Sequence, residues 1–400
     1  MKVLWVNTNF MHPTNKGGSI RTIEMLRYLH QWHEIHYVAI ADPAHPEGPA
    51  RAGEYSFRAY PFSHAVADKR SPAFVLEVIK GLFSSLPLAM QRYSSAALGD
   101  QLRVLMARER FDRAVVDHLT PGSYFPHLEQ SLLFQHNVET IIWRRHAEQA
   151  SDPIRRLYFG QQAQRMFEFE RRVCQASGHI VAVSATDARR MRELFGVTRV
   201  SEIPTGVNLE YYTPTGPVAP SADMVFIGSM DWLANIDGVT YFVNDVLPLI
   251  RRRRPDATFA VVGRNPGKDV LAMAQRDPGI RVTGTVPDIR PYLWGAGVSV
   301  VPLRIGGGTR LKVYESMAAR VPQVSTMVGA EGLDFEPGVN IAIADTAEAF
   351  AEECLRMLED RDRATRMATA AWQMVADRFS WEQVARTFNR IMIEETPSAT

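Results

Sequence analysis

The 400-residue sequence has few cysteines and no long hydrophobic run. Its two cysteines, Cys174 and Cys354, lie far apart and match no metal-binding or redox spacing. They fit a reducing compartment, where buried free thiols are common. No run of about 18 apolar residues occurs, so no membrane-spanning helix is predicted. The residues Met1–Phe10 predict a buried strand rather than a signal peptide, and we therefore expect a cytoplasmic protein.

The chain also has no large excess of charge of either sign. The formal net charge is +1, so the sequence offers no bulk attraction for nucleic acid, and we expect no nucleic-acid partner. Hydrophobic residues make up 46% of the chain, which is ordinary globular composition. A chain of this length predicts two domains.

Several nucleotide-binding and metal-binding motifs are missing. No Gly-Lys-Ser/Thr follows a glycine-rich loop at the spacing of a phosphate-binding Walker A loop. No G-x-G-x-x-G follows the first predicted strand, which argues against a dinucleotide oxidoreductase. The one D-x-D pair, Asp360 and Asp362, falls in a polar helical stretch and is interpreted as solvated surface. We therefore expect neither a metal nor another cofactor.

Short apolar runs alternate with amphipathic segments along both halves of the chain, beginning with Val3–Val6. This alternation predicts an α/β fold with two doubly wound parallel-sheet, Rossmann-like domains. A strand is also predicted over Tyr55–Tyr60. The proline-containing, non-periodic stretch 203–223 is the best candidate linker. The predicted domains are residues 1–205 and 206–379, and a last helix at about 380–400 is expected to pack back on the first domain.

Ligands of such sheets bind outside the carboxyl ends of the strands. Two domains that face each other across a linker would bring such strand ends into one cleft. The following residues come directly after predicted strands: Gly17, Asp117, His118, His136, Gly263, Gly284 and Gly306.

The most informative stretch is Val301–Ala319. It predicts a buried strand end, a turn of three glycines and then a helix. Glycine lets the backbone approach a ligand, and the helix start presents unpaired N–H groups and a positive dipole end. This suits a phosphate. The residues expected at this anion site are Gly306, Gly307, Gly308 and Thr309.

Basic and acidic side chains complete this stretch. Arg304, Arg310 and Lys312 add positive charge around the glycine turn. Glu315 lies too far into the helix to cap it, so its carboxylate could bind a pair of hydroxyls. A diphosphate at the turn and a diol at Glu315 together describe a sugar nucleotide.

Five short motifs occur together in this chain: the Gly17-Gly18 loop, the His136-Asn137 strand end, Ile203–Asn208 with Pro214 beyond, the strand ending Val262-Gly263, and Glu315-x-Met317-Ala318. With this combination the chain resembles the retaining GT-B glycosyltransferases of family 4 over nearly its whole length. The resemblance implies a C-terminal domain that holds a nucleotide-sugar donor and an N-terminal domain that holds the acceptor.

The sequence departs from the family pattern at two places. Family members usually have the pattern Glu-x7-Glu. This chain has Gly307 at the first position and glutamate only at the second, Glu315. The segment Gly228–Asn235 lacks the arginine and lysine that many members use against the diphosphate. The expected diphosphate ligands therefore move to Arg304, Arg310 and Lys312, with Arg264 as a further candidate. By resemblance, Thr285 and Val286 would offer backbone groups to the base.

His136 is the first candidate for the residue beside the reacting sugar carbon. In the retaining mechanism that the resemblance implies, the leaving phosphate accepts the acceptor proton, so no enzyme base is needed. Asp117 and His118 are alternates, and one of them would be the general base of an inverting enzyme. Gly17 and Gly18 are expected to allow close approach of phosphate or acceptor.

The predicted function is transfer of a sugar, of the hexosyltransferase type, from a nucleotide-diphosphate sugar to a saccharide, lipid-linked or small-molecule acceptor. The alternatives are a nucleotide-sugar 2-epimerase on the same fold and a non-catalytic nucleotide-sugar-binding protein. Residues 69–92 are apolar with basic ends, so they fit either a helical pair packed on the sheet or a peripheral contact with the inner membrane face.

Overall fold

The computed structural model describes residues 1–14, 17–67, 71–82, 84–149, 152–305 and 311–395. These residues form two compact units. The N-terminal unit comprises Met1–Pro204 together with the segment that starts at Val384. The C-terminal unit comprises Thr205–Gln383.

In its described residues the N-terminal unit has a seven-stranded parallel sheet in the order β3-β2-β1-β4-β5-β6-β7. The central strands are buried on both faces, which is the reason for their continuous apolar runs. The strands are β1 (Lys2–Asn9), β2 (Glu34–Ile40), β3 (Arg58–Phe62), β4 (Arg113–Asp117), β5 (Leu132–Gln135), β6 (His179–Ala182) and β7 (Val200–Glu202).

Helices connect these strands. They are α1 (Gly17–Trp32), α2 (Glu47–Ala50), α3 (Pro72–Leu82), α4 (Leu88–Gln91), α5 (Ala96–Arg108), α6 (Glu139–Gln149), α7 (Pro153–Ala176) and α8 (Ala185–Phe195), with 3-10 turns at Ala52–Glu54, Thr120–Ser123 and Leu128–Gln130.

The C-terminal unit has a six-stranded parallel sheet, in its described residues, with the order β10-β9-β8-β11-β12-β13. The predicted class of two parallel-sheet α/β domains is therefore confirmed. The strands are β8 (Ala222–Ile227), β9 (Phe259–Val262), β10 (Ile280–Val282), β11 (Ala296–Val301), β12 (Gln323–Ser325) and β13 (Ala342–Ile343).

The remaining helices follow β7 in the chain, and the last of them runs from the C-terminal unit into the N-terminal unit. They are α9 (Leu209–Tyr212), α10 (Leu233–Tyr241), α11 (Leu247–Arg251), α12 (Lys268–Arg276), α13 (Arg290–Trp294), α14 (Leu311–Ala318), α15 (Met327–Ala330), α16 (Ala347–Glu359), α17 (Arg361–Arg378) and α18 (Trp381–Glu394), with a π-helical turn at Phe242–Val246 between α10 and α11.

The start of one predicted strand was wrong. The strand predicted over Tyr55–Tyr60 is β3, which starts at Arg58 and lies at the edge of its sheet, where Pro61 is tolerated. Tyr55 instead follows a 3-10 turn, and its ring packs edge-on against Tyr37 with a centroid distance of 5.1 Å. Aromatic residues are common in strands, so the sequence alone places Tyr55 in the strand rather than in the turn before it.

The boundary between the two units, Pro204/Thr205, lies within the predicted linker 203–223. Much of 203–223 is folded into the C-terminal unit rather than extended between units. The Val207 amide donates to the Phe379 carbonyl at 2.8 Å, and Tyr212 at the end of α9 is buried. Apolar side chains that have a core to enter fold this stretch despite its prolines.

The last helix carries the chain back to the N-terminal unit. Phe388 on α18 is fully buried, and its ring centroid lies 5.4 Å from that of Trp5 and 5.2 Å from that of Phe134. The Arg113 guanidinium, at the start of β4, donates to the Met392 carbonyl at 3.0 Å. These contacts place α18, from Val384 onward, in the N-terminal unit.

No helix in the described part of the chain is long and apolar enough to cross a membrane. Helix α3 nevertheless presents a row of exposed apolar side chains, namely Val75, Leu76 and Ile79. The spacing of three and four residues puts them on one face of the helix.

Candidate active site

Each sheet has one place where the order of its strands reverses. In the N-terminal unit the reversal lies between β1 and β4, and in the C-terminal unit it lies between β8 and β11. The loops at the carboxyl ends of these strands run in opposite directions and open a crevice, which is where ligands of doubly wound sheets bind. The polar side chains that line these two places are therefore the candidate site residues.

Asp117, at the end of β4, is the centre of the site in the N-terminal unit. Its carboxylate is fully buried and accepts four hydrogen bonds. The donors are Trp5 Nε1 at 3.0 Å, Asn7 Nδ2 at 2.7 Å, Thr22 Oγ1 at 2.9 Å and His136 Nε2 at 2.8 Å. Burial raises the pKa of Asp117, but the His136 ring and the other donors outweigh it, so the pKa lies below 3.8.

His136 is held as one neutral tautomer. Because a carboxylate only accepts, Nε2 must carry the proton that it donates to Asp117. Nδ1 is then the acceptor, and it lies 3.2 Å from an Nη of Arg21, which is itself buried. Burial, together with the charges of His118 and Arg21, lowers the pKa of His136 far below 6.5.

His118 and Gly18 close this site from the other side. The His118 ring stacks on His136 with a centroid distance of 3.9 Å and an angle of 16°. Its φ of 72° is rare for a residue with a side chain, and such strain is found mostly at functional sites. A Cβ on Gly18 would lie 3.1 Å from His118 Cε1 and 3.6 Å from His136 Nδ1. Helix α1, which begins at Gly17, therefore starts against both rings.

The structure thus brings together the residues predicted from separate strand ends: Gly17, Gly18, Asp117, His118 and His136. The geometry bears on the predicted role of Asp117. Asp117 has no exposed surface and both its oxygens are occupied, so its geometry is that of a positioning residue rather than a general base. His136 has a hydrogen-bond partner at each ring nitrogen.

The ligand atoms of Asp117, His118 and His136 lie within 4.8 Å of one another, a spacing that a metal ion would need. The donor set does not fit such an ion. The carboxylate is already filled by N–H and O–H donors, and the Arg21 guanidinium brings a positive charge to the same place. The cluster is better described as a hydrogen-bond network.

Sequence reasoning missed the donors of this network. Trp5 and Asn7 are two positions apart in β1, so their side chains lie on the same face of the strand. This spacing is the sequence signal that could have identified them. Arg21 and Thr22 are polar residues on the buried side of α1, three and four residues after Gly18. A polar side chain inside an apolar strand or helix face needs a buried partner.

A second buried carboxylate fixes the backbone next to His136. Glu170 accepts from the amides of Glu139 at 2.9 Å and Thr140 at 2.7 Å, from the Thr140 hydroxyl at 2.6 Å, and from Gln135 Nε2 at 3.0 Å. Burial raises the pKa of Glu170 to about 7. The first amides of α6 are therefore capped by the protein itself, which holds the β5–α6 junction that carries His136.

The neutral state of His136 predicts how stability varies with pH. The unfolded chain takes up a proton at this histidine near pH 6.5, whereas the folded chain does so only far below that value. Between these two values the unfolded state binds more protons, so stability falls as the pH falls, by about 1 kcal/mol per pH unit for one group.

Hydrogen exchange of the buried β1 and β4 amides between pH 7 and 5, corrected for the intrinsic exchange rate, checks this because it reports the stability of the N-terminal unit. Other buried histidines titrate too, so the variant His136→Asn is the comparison, and its pH slope should be smaller by about one proton. An equal slope in the two proteins would contradict a neutral His136.

The site in the C-terminal unit is built around Lys312 on α14. Its Nζ donates to Asn235 Oδ1 at 2.8 Å and lies 4.2 Å from the centre of the Phe226 ring. A Cβ on Gly228, just past β8, would come within 2.7 Å of this nitrogen. The lysine therefore reaches from the helix after β11 to the loop after β8, across the reversal point of the sheet.

The two arginines predicted near the diphosphate have partners on neighbouring loops. Arg304, after β11, forms a bidentate ion pair with Asp237 on α10, at 2.6 and 3.1 Å, and this hydrogen bonding raises its pKa. Arg264, after β9, donates from Nε to Ser229 Oγ at 2.9 Å and is well exposed. Both guanidinium groups stand at the carboxyl ends of strands.

Glu315 follows Lys312 by one turn of α14, and its carboxylate is hydrogen-bonded to the Tyr212 phenol. Burial raises the pKa of Glu315. Thr285 and Val286 follow β10, the edge strand two positions from β8, so they stand apart from the reversal point. Gly306, Gly307, Gly308, Thr309 and Arg310 lie outside the described residues.

Comparison with known proteins gives the class. Residues 16–211 match the family model described as Glycosyltransferase Family 4, and residues 221–360 match the model described as Glycosyl transferases group 1. The two matches span most of the chain. The chain belongs to the GT-B glycosyltransferases of family 4, as the sequence predicted, and it is a glycosyltransferase.

Individual relatives are distant. An uncharacterised 44.6 kDa protein in the cps region of Klebsiella pneumoniae is 19% identical over 396 residues, which are 96% of this chain and 97% of that protein. Glycogen synthase of Mycobacterium tuberculosis is 25% identical over 223 residues, 52% of each chain. The crystal structure of Anabaena HepE in complex with UDP and glucose has a TM-score of 0.64 at 13% identity and covers 98% of this chain and 99% of that one.

Proposed function

We propose that this glycosyltransferase moves a sugar from a nucleotide-diphosphate sugar to an acceptor hydroxyl with retention of configuration. The observation that carries the proposal is the Lys312 ammonium beside Gly228, at the reversal point of the C-terminal sheet. A positive charge at this place suits a diphosphate. The UDP and glucose bound by Anabaena HepE, which shares the fold, support the same type of donor.

In the proposed donor site, Lys312 and the segment Gly306–Arg310 hold the diphosphate, with Arg304 and Arg264 beside it. Fixed positive groups stabilise the negative charge that develops on the leaving diphosphate, which is the largest contribution available to such a transfer. These groups need no metal ion. Glu315 binds the ribose hydroxyls, for which the Tyr212 hydrogen bond would orient its carboxylate.

The proposed chemistry needs no enzyme base. The bond from the sugar carbon to the diphosphate breaks, the acceptor oxygen attacks on the same face, and its proton goes to the leaving phosphate oxygen. The neutral, doubly engaged His136 ring and the saturated Asp117 carboxylate favour this route over one with a protein base. His136 would act beside the reacting sugar carbon, and His118 with Gly17-Gly18 would line the acceptor side.

We propose a saccharide or a lipid-linked saccharide as acceptor, in polysaccharide biosynthesis, because the Mycobacterium tuberculosis relative is a glycogen synthase, and glycogen is a polysaccharide. A small-molecule acceptor is the alternative. Peripheral contact with the inner face of a membrane also stays a prediction. The exposed apolar face of α3 supports it, and co-sedimentation with anionic lipid vesicles measures it.

The function is tested by screening the full-length protein against UDP-, GDP-, ADP- and dTDP-sugars by thermal shift, then following donor cleavage without acceptor. We expect stabilisation by at least one nucleotide sugar and slow release of the nucleoside diphosphate. This release should be lost in His136→Ala and kept in the control His45→Ala, which changes an exposed histidine of the same unit.

The alternatives give different results in the same experiment. A non-catalytic sensor would be stabilised without any donor turnover. A 2-epimerase would convert the sugar without needing an acceptor. If no nucleotide sugar stabilises the protein, the proposed donor site is wrong.

A further inference from the structure

The end of the β8–α10 loop and the first residue of α10 expose two large apolar side chains that are neighbours in the chain. Trp232 is 57% exposed and Leu233 is 70% exposed. A single exposed apolar residue is ordinary, but tryptophan is mostly buried in folded proteins, since it has the largest apolar surface to remove from water. The exposure of these two side chains therefore calls for a physical explanation.

The exposure does not come from a loosely held loop. The Met230 side chain is buried, and its amide donates to the Arg264 carbonyl at 2.8 Å. Asp231 accepts from the hydroxyl of Ser229 and from Asn265 Nδ2 at 3.2 Å. On the other side of the tryptophan, its carbonyl accepts from the Asn235 amide at 3.0 Å. The backbone on both sides of Trp232 is thus anchored.

Planar polar groups lie next to Trp232 in the chain and on the neighbouring loop after β9, which Asn265 Nδ2 joins to Asp231. The Asp231 carboxylate and the Arg264 guanidinium are both about half exposed and lie 3.8 Å apart. Asn265 is held at a φ of 55°, a left-handed conformation that asparagine tolerates. An apolar surface with a few fixed hydrogen-bonding groups is the usual make-up of a site for a small polar molecule.

The chemistry of these groups selects a sugar ring. A pyranose has one face of C–H bonds, which carry a partial positive charge and stack on the negative face of an indole. Its edge carries hydroxyl groups, which can donate to a carboxylate and accept from an amide or guanidinium group. A peptide or lipid partner would instead call for a wider apolar area without the adjacent charges.

The position of the loop agrees with this ligand. It starts at Gly228, against which the Lys312 ammonium lies, and Asn235 in the first turn of α10 binds the same ammonium. We propose that Trp232, with Asp231 and Asn265, forms a binding site for a pyranose ring of the substrate. The inference rests on the proposed function, because the site adjoins the proposed diphosphate ligand.

The test uses the full-length protein and three variants. Trp232→Ala removes the stacking surface and Trp232→Phe keeps an aromatic ring. Phe57→Ala changes a comparably exposed aromatic residue of the other unit and is the control. Calorimetric titrations with UDP, UDP-glucose, UDP-galactose and GDP-mannose, and binding to an array of bacterial and plant glycans, give the affinities.

We expect Trp232→Ala to weaken binding of the sugar-bearing ligand at least tenfold, with Trp232→Phe within threefold of the wild type and UDP affinity unchanged. Loss for a nucleotide sugar assigns the site to the donor, and loss for an array glycan assigns it to the acceptor. The inference is overturned if Trp232→Ala binds every saccharide as the wild type does, if UDP and sugar are weakened equally, or if the wild type binds none of them. Failure of the proposed function would appear separately, as absent binding of every nucleoside diphosphate and nucleotide sugar in the thermal-shift screen.

Discussion

The substitution Lys312→Ala is expected to lower kcat/KM for the nucleotide-sugar donor by about 100- to 1,000-fold, the usual loss when one preorganised charge-stabilising donor is removed. The lysine is fixed before any ligand arrives, since Asn235 accepts its hydrogen bond and the Phe226 ring lies beneath it. A preorganised charge acts on the transition state without the cost of rearranging solvent. The binding of a free nucleoside diphosphate should weaken as well, because the ground state carries much of the same charge.

Lys268→Ala is the matched control for this experiment. Lys268 is an exposed lysine of the same unit at the start of α12, and its loss changes the net charge equally. Steady-state kinetics of donor cleavage and calorimetric titration with the diphosphate measure the two effects. Equal values for Lys312→Ala and Lys268→Ala would remove Lys312 from the donor site.

The substitution Asp117→Ala is expected to destabilise the N-terminal unit by about 3–5 kcal/mol, the typical cost of removing one partner from a buried charged network. Four donors, including His136 and Trp5, would lose their acceptor. The Asp117 carboxylate is fully buried, so water does not replace it easily. The buried Arg21 would also lose the nearby negative charge. Asp117→Asn should cost less, since the amide keeps one accepting oxygen.

Hydrogen exchange of the β1 and β4 amides measures this effect in the unit that contains the aspartate. This local readout is needed because a chain of two units does not unfold as one two-state system. Asp100→Ala is the control, because Asp100 is exposed on α5 of the same unit, where its carboxylate pairs with Arg103. A loss below about 1 kcal/mol in Asp117→Ala would show that the network is not essential for stability.

The residues of the N-terminal site could partly be predicted from sequence, because polar residues at strand ends are easily recognised. Gly18, Asp117, His118 and His136 each follow a run of apolar residues or open a helix, and a doubly wound sheet brings such ends to one edge. What the residues do there was not recoverable. Asp117 was a candidate base, yet four donors fill its oxygens, and two of them come from a strand more than 100 positions earlier in the chain.

The C-terminal unit gives the same lesson from its charges. Arg304 and Lys312 looked equivalent in sequence, as cations on either side of a glycine turn. In the fold, Arg304 is bound by Asp237, whereas Lys312 lies against Gly228. Tyr212, placed in a linker from its neighbouring prolines, is a buried partner of Glu315.

The sequence by itself determined the parallel-sheet class, the positions of most strand ends and the family, because these follow from local periodicity and from short motifs. Only the tertiary structure decided which polar groups meet. The order of strands in each sheet joins residues such as Asn235 and Lys312, 77 positions apart, and it leaves Trp232 exposed while its neighbours are anchored. Such pairings depend on packing between distant segments, which no local pattern encodes.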